Sequence, residues 1–325
     1  MKLWGVAMVR NESDVIEAFV RHNLTVLDGL IVVDHGSSDA TMPILTALCQ
    51  ERLPLIVKRA DAPGYLQSEI MTIAAREAFA TARADAVFTL DADEFLRVRS
   101  RQDLEAALAA LPAMHVGRVA WPTYLADPAA GEADILAVLR SARRWRGRKL
   151  PHSPSMTRKV VLTSAFAREP SANLTMGNHG VILGNDLGSS PPMPGIDLDR
   201  AVATVCHVPV RSASQYVVKN TVKRLARVAA GRDYPAGSAI LGMFDAIRRD
   251  EALSPLMMLA PHVIIDEASH SSFFSAPRAP DDAFLADFVL RYTPPKPPDP
   301  LPIVLAAVEG LVRRATDARR ARANR

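Results

Sequence analysis

The feature that most constrains this chain is an alternation of short apolar runs with longer helical patterns in its amino-terminal part. Residues 3–9, 30–33, 53–57 and 86–90 read as strands, because continuous apolar runs bounded by turns are what strands buried on both faces require. Residues 15–27, 40–50 and 67–82 carry a helical period, with Ile16, Phe19, Val20 and Leu24 on one stripe. Asp14 with Glu17 reads as a capping-box-like start, and Gly29 as the stop of that helix. Asp39 is placed to cap the second helix, and Pro63-Gly64 to turn the chain into the third. Strands and helices in this order predict an array of βαβ units around a parallel sheet with right-handed crossovers. The polar clusters after the first, second and fourth strands then gather on one edge of that sheet, where open α/β sheets bind ligands.

The fourth strand runs into Asp91-Ala92-Asp93-Glu94. Side chains two apart on an extended strand point the same way, so Asp91 and Asp93 are expected to project together. Two carboxylates that close repel unless a cation separates them or one is protonated. Oxygen ligands of this kind suit Mg²⁺ or Mn²⁺. The alternative is a plain turn or helix-capping cluster.

The rest of the sequence excludes several classes. There is no G-x-G-x-x-G and no G-x-x-x-x-G-K-[ST], against dinucleotide enzymes and P-loop NTPases. No G-x-S-x-G elbow is present, against an α/β-hydrolase. Cys49 and Cys206 are the only cysteines, too few for a disulfide framework or a structural zinc site, and they fit a reducing compartment. No signal-peptide pattern or membrane-length apolar run is seen, so a cytoplasmic or peripherally attached protein is expected. The net charge of +4 is concentrated: residues 140–149 hold six basic side chains and no acid, and residues 313–325 hold six arginines against Asp317. Such blocks suit phosphate groups, nucleic acid or an anionic membrane, or are simply solvated faces. At 6% aromatic residues and without a stacking motif, nucleic acid is not the expected partner.

Three segments carry a resemblance. Met8-Val9-Arg10-Asn11-Glu12, Ile31-Val32-Val33-Asp34-His35-Gly36-Ser37-Ser38-Asp39-Ala40-Thr41 and Leu90-Asp91-Ala92-Asp93-Glu94-Phe95 are similar to the family 2-type glycosyltransferases, especially a bacterial subgroup with an Asp-Ala-Asp-Glu-Phe motif. The match covers roughly the first hundred residues and is thin beyond them. It implies an α/β nucleotide-sandwich (GT-A-like) fold, a mainly parallel sheet flanked by helices, followed by a helical carboxyl-terminal region. It also implies a metal-dependent, inverting transfer of sugar from a nucleotide-sugar donor, UDP-linked by expectation, to a glycan, lipid or cell-surface polymer. By the same resemblance Arg10, Asn11, Glu12 and Asp34 lie along the nucleotide. Asp91 faces the ribose or metal, Asp93 ligates Mn²⁺ or Mg²⁺ and serves catalysis, and Glu94 supports them. Gln67 is a polar position near the sugar. His35 stands where many relatives have an acid or Asn, which leaves base selectivity open.

Later segments are read more coarsely. Residues 102–111 read as a helix, and 116–121 and 156–162 as strands. Trp145 among arginines is placed either to stack on a sugar or phosphate, or to be one buried residue of a solvated helix. His179 lies in Met176-Gly177-Asn178-His179-Gly180, where glycines let backbone approach a ligand, and is a candidate metal ligand or general base. Val205-Cys206-His207-Val208-Pro209-Val210-Arg211-Ser212 precedes a helix over 213–230 that stops at Gly231 and carries Lys219, Lys223 and Arg227 on one face. It resembles the closing segment of the same subgroup, so His207, Arg211 and Lys219 are expected to reach the diphosphate; a basic outer face is the alternative.

The expected division is a donor-binding and catalytic domain over 1–231, a helical region over 232–293, and a proline-rich linker with a basic terminal helix over 294–325. That helix suits either an anionic membrane bearing a lipid-linked acceptor or a plain solvated or oligomerising tail. Rival readings are a nucleotide-sugar-binding protein of the same fold without turnover and, less favoured, a nucleic-acid module built on the basic helix.

Overall fold

The computed structural model describes residues 1–60, 66–127, 134–147, 157–186, 188–229, 233–234, 237–297 and 299–323. The Pro63-Gly64 turn, Arg148, Lys149, Met156 and Gly231 lie outside the described residues.

The first half follows the predicted alternation: β1 Leu3–Val9, α1 Ile16–Asn23, β2 Gly29–Asp34, α2 Thr41–Gln50, β3 Leu55–Arg59, α3 Gln67–Ala80 and β4 Ala86–Leu90. These four strands are parallel in the order β3-β2-β1-β4. Alternation along each strand splits its side chains between two cores. Leu30 and Val32 of β2, with Ala86, Phe88 and Leu90 of β4, pack with Ile16, Phe19, Ile44, Leu45 and Leu48 of α1 and α2. Ile31, Val33 and Val87 face the other way, onto Met71, Ala74, Ala75 and Ala78 of α3. The sheet is thus covered on both faces, which is why its strands read as unbroken apolar runs.

The chain then adds β5 Glu94–Val98, α4 Arg101–Ala109, β6 Val116–Ala120, β7 Tyr124–Leu125, α5 Ile135–Ser141, β8 Arg143–Arg144, β9 Arg158–Thr163 and α6 Ser164–Arg168. After these come β10 Ala172–Leu174, β11 Val181–Leu183, β12 Gly195–Asp197 and β13 Ala203–His207. The main sheet reads β3-β2-β1-β4-β9-β6-β13-β5, with β12 beside β6. β9 runs antiparallel to β4 and β6, and β5 antiparallel to β13. Helices α7 Ala213–Ala229, α8 Ala239–Arg248, α9 Pro255–Leu259, α10 Glu267–Ser275 and α11 Pro300–Ala323 complete the chain. The result is a mixed, mainly parallel sheet flanked by helices, GT-A-like, with a distinct helical carboxyl-terminal region. No helix among the described residues is long and apolar enough to cross a membrane.

Two local expectations are corrected. Asp14 and Glu17 do not form a capping box, because both carboxylates have distant partners. Arg211 takes Asp14. Glu17 accepts from the backbone N–H groups of Arg291, Tyr292 and Thr293, each at 2.8 Å. Gly29 does not stop a helix; it opens β2, and the Trp4 indole lies where a Cβ would stand, 2.5 Å away.

β5 leaves the neighbourhood of β4 and forms the far edge of the sheet. Its outer side is sealed by α1. Asn23 Nδ2 donates to the Glu94 carbonyl at 3.0 Å, the Leu96 N–H donates to Asn23 Oδ1 at 2.9 Å, and His22 Nε2 donates to the Leu96 carbonyl at 3.0 Å. These side chains supply the bonds a neighbouring strand would supply, and an otherwise open edge is closed.

Candidate active site

The loops after β1 and β2 are sewn together at the carboxyl edge of the sheet. Asn11 adopts φ 56°, a left-handed conformation that Asn tolerates better than most residues. Its N–H donates to Ser37 Oγ at 2.9 Å, and its Oδ1 accepts from the Ser38 N–H at 2.8 Å. The Glu12 N–H donates to Thr41 Oγ1 at 2.9 Å, and the Ser13 N–H to Asp39 Oδ2 at 3.0 Å. Asp39 also accepts from the Thr41 N–H at 2.9 Å, at the start of α2. Asp34 is fully buried, and its carboxylate accepts from the Ser37 N–H at 3.2 and 3.3 Å. Arg10 sits half-buried between β1 and Asn11.

After β4 the chain turns. The Glu94 N–H donates to the Asp91 carbonyl at 3.0 Å, so Asp91 and Asp93 do not lie on one extended strand as simple alternation supposes. Asp91 accepts from Gln67 Nε2 at 3.0 Å and from Lys159 Nζ at 2.7 Å. Gln67 Oε1 in turn accepts from the Gly177 N–H at 3.0 Å. Asp93 faces another way: it is ion-paired with Lys219, with Arg211 Nη1 at 3.9 Å and the His207 imidazole Nε2 at 3.7 Å.

Strand pairing brings Glu94 and His207 together. They are direct partners in the antiparallel β5–β13 ladder, and opposed residues share a face. One ligand atom each from Asp93, Glu94 and His207 lies within 4.8 Å of the others, and all three residues are buried. Trp121, just after β6, completes the wall: its Nε1 donates to Glu94 Oε1 at 2.7 Å. Its indole stacks on the His207 ring at 4.4 Å and meets the His179 ring at 4.9 Å. Lys159 Nζ bridges Asp91 and Glu94, 2.9 Å from the latter, and lies 5.3 Å over the Trp121 ring.

The charges are strongly biased. Burial raises the Glu94 carboxyl to about 8 against the pull of the Lys159 ammonium, with the Asp91 and Asp93 charges adding to the rise. Burial likewise raises Glu12 to about 7, opposed by Lys219 and Arg211. Burial pushes Asp93 the same way, but the charges of Lys219 and Arg211 overrule it and hold this carboxyl well below the usual range. Burial drives His207 well below the ordinary imidazole value despite the attraction of Asp93. A neutral imidazole and two carboxyl groups form an O,O,N donor set of the kind that holds a divalent ion once Glu94 gives up its proton. His207 turns Nε2 toward Asp93, 3.7 Å from its Oδ2, while Nδ1 is buried without a hydrogen-bond partner. The residues fit a divalent cation.

The other sequence candidates fall around this cluster. Arg211, almost fully buried, donates to Asp14 at 2.7 and 3.0 Å and to Glu12 at 2.6 Å. Lys219 extends from α7 to Asp93, 3.7 Å from Glu12. His179 is not among the three clustered ligands; its Nδ1 donates to the Arg158 carbonyl at 2.7 Å. Sequence reasoning gave Lys159 and Trp121 no role, although a lysine within an apolar strand such as β9 was a signal that it needs a buried acid. Trp145 is buried on Phe273, and its flanking Arg144 and Arg146 pair with Asp281, so this block fastens the carboxyl-terminal region. Of the basic face of α7, Arg227 lies on the Tyr234 ring at 4.7 Å.

No family model matches the chain, and no curated protein matches it at a significant level. Among solved structures, S. aureus TarS 1–349 is similar at 12% identity over 77% of this chain and 72% of that one, with a TM-score of 0.37. A mannosyltransferase, PcManGT from Pyrobaculum calidifontis, in complex with GDP-Man and Mn²⁺, is similar at 17% identity over 86% and 76%, TM-score 0.36. Glucosyl-3-phosphoglycerate synthase from Mycobacterium tuberculosis is similar at 20% identity over 38% and 43%, TM-score 0.24. Likenesses this distant decide nothing about the activity of this chain, which rests on its own residues: a GT-A-like sheet whose carboxyl edge carries an Asp93, Glu94 and His207 cluster able to hold a divalent metal.

Proposed function

We propose that the protein is a metal-dependent, inverting glycosyltransferase of the family 2 type, taking a nucleotide-sugar donor, UDP-linked, and a glycan or lipid-linked acceptor. The observation that carries this reading is the Asp93, Glu94 and His207 cluster at the carboxyl edge of the parallel strands, ringed by Lys159, Arg211 and Lys219. Anionic ligands and a divalent cation are the natural occupants of such a place. A bound Mn²⁺ or Mg²⁺ would neutralise a diphosphate and the charge that develops on its leaving oxygen.

The chain's own groups supply the rest. Arg10, Asn11, Glu12 and Asp34, at the carboxyl ends of β1 and β2, take the nucleoside. Asp91, braced by Gln67 and Lys159, takes the ribose, and Gln67 borders the sugar. Arg211 and Lys219 offer positive charge to the diphosphate. His179 is the proposed base for the acceptor hydroxyl. A carbonyl only accepts, so the bond to Arg158 puts the ring proton on Nδ1 and leaves Nε2 with the lone pair that proton abstraction needs.

The test is thermal unfolding with UDP, GDP, CDP and TDP, each with and without Mn²⁺, for the wild type and Asp93→Ala, followed by transfer assays with the donor found. Ligand at about a hundred times its dissociation constant adds roughly 2.7 kcal/mol. A metal-dependent shift for one nucleotide, lost in the variant, is the expected result. No shift with any nucleotide in a folded sample overturns the reading; binding without transfer leaves a nucleotide-sugar-binding protein.

A further inference from the structure

Helix α11 is apolar on more than the face it buries. Ile303 and Ala307 pack against Val218, Val222 and Leu225 of α7. Ser38 Oγ donates to the Ile303 carbonyl at 3.4 Å, so the first half of α11 is fixed beside the loop after β2. At about 100° per residue, Leu301, Leu305 and Val308 fall on the side away from Ile303 and Ala307. They are 61%, 52% and 38% exposed, and Val312, continuing the same spacing, is 61% exposed. A helix that is apolar all round is normally buried all round; this one is buried on one side.

Charge decides what fits the other side. Between Pro300 and Val312, Glu309 is the only charged residue, while residues 313–325 hold six arginines against Asp317. An apolar stripe continued by a run of cations is the composition of a helix that lies in the headgroup region of an anionic bilayer. A second copy of the chain, itself at +4, offers the arginine run no complementary surplus of acid. We propose that α11 docks the protein onto an anionic lipid bilayer, with Leu301, Leu305 and Val308 entering the acyl boundary and the arginine run meeting the headgroups. The attachment is peripheral, since no described helix can span a membrane. It stands apart from the catalytic reading: its failure leaves nucleotide binding untouched, and the reverse holds too.

The experiment is cosedimentation of the full chain with phosphatidylcholine vesicles, with and without phosphatidylglycerol, at low and high salt. Binding to the anionic vesicles is expected, weaker by about tenfold or more on pure phosphatidylcholine or at high salt. The double variant Leu301→Asp/Leu305→Asp is expected to lose about tenfold or more with an unchanged urea midpoint, because both side chains are largely exposed. Arg319→Glu/Arg320→Glu, within the arginine run, is expected to weaken binding as well. No binding to anionic vesicles at low salt overturns the proposal, as does wild-type affinity in both variants. A dimer abolished by Leu301→Asp/Leu305→Asp, without vesicle binding, overturns it in favour of a second copy.

Discussion

Arg211 Nε donates to Asp14 Oδ2 at 2.7 Å, joining two buried residues 197 positions apart in the chain. The same guanidinium reaches Glu12 and approaches Asp93, so one cation holds the loop after β1, the turn after β4 and the segment after β13 in register. Replacing Arg211 by Met takes this partner from buried Asp14 and leaves Glu12 and Asp93 to Lys219. Breaking one side of a buried ion pair costs about 3–5 kcal/mol, and urea unfolding of Arg211→Met is expected to show a loss of that order. Arg211→Lys is expected to recover only part of it, because an ammonium cannot reproduce the forked contact with Asp14.

Metal affinity is expected to follow the clustered residues. Asp93→Asn and His207→Ala each remove a donor atom and are expected to weaken Mn²⁺ binding by tenfold or more, read by calorimetry or by the spin signal of free Mn²⁺. Lys58→Ala, whose partner is Glu77 on α3, is expected to leave it unchanged.

Glu17 fastens the segment leading to α11. Burial would raise its carboxyl, but the N–H groups of Arg291, Tyr292 and Thr293 and the Arg21 guanidinium hold it below its ordinary value. In Glu17→Gln an amide NH₂ must face donors on one side, which costs about 3 kcal/mol. Hydrogen exchange is expected to accelerate at Tyr292 and Thr293 before it does in β1 or β2.

His22 gives stability a pH dependence. Burial lowers its pKa from 6.5 to about 4, against the carbonyl bond to Leu96. The Ala286 N–H donates to Nδ1 at 3.1 Å, so protonation would set two N–H groups against each other. The unfolded chain therefore binds the proton first on acidification. The stabilisation is complete above pH 6.5 and is lost as pH falls from there towards 4, by about 2 kcal/mol at pH 5. The stability difference between wild type and His22→Gln is expected to shrink by that amount between pH 7 and pH 5.

The parallel strands and their helices were legible because each strand is buried on both faces and each helix on one, so hydrophobic period alone locates them. The candidate site was legible only as residue types at strand ends. That Glu94 stands opposite His207 depends on β5 crossing to the far edge of the sheet, and nothing local in Glu94-Phe95-Leu96 announces this: the sequence predicts no strand there. The partners of Asp14 and Glu17 were hidden for the same reason, since Arg211 and Thr293 lie far along the chain. Both acids sit where a capping box belongs, and local preference gave way to distant charges that needed burying.

Trp121 also makes the site optically addressable. The chain has three tryptophans; Trp4 lies on Gly29 and Trp145 on Phe273, whereas Trp121 is bonded to Glu94 and stacked on His207. Its emission therefore senses the same carboxylate and imidazole that define the metal cluster. A paramagnetic ion held there quenches this indole first, and the difference spectrum between wild type and Trp121→Phe isolates the signal. Occupancy can then be followed in real time on the unlabelled protein, before any substrate is known.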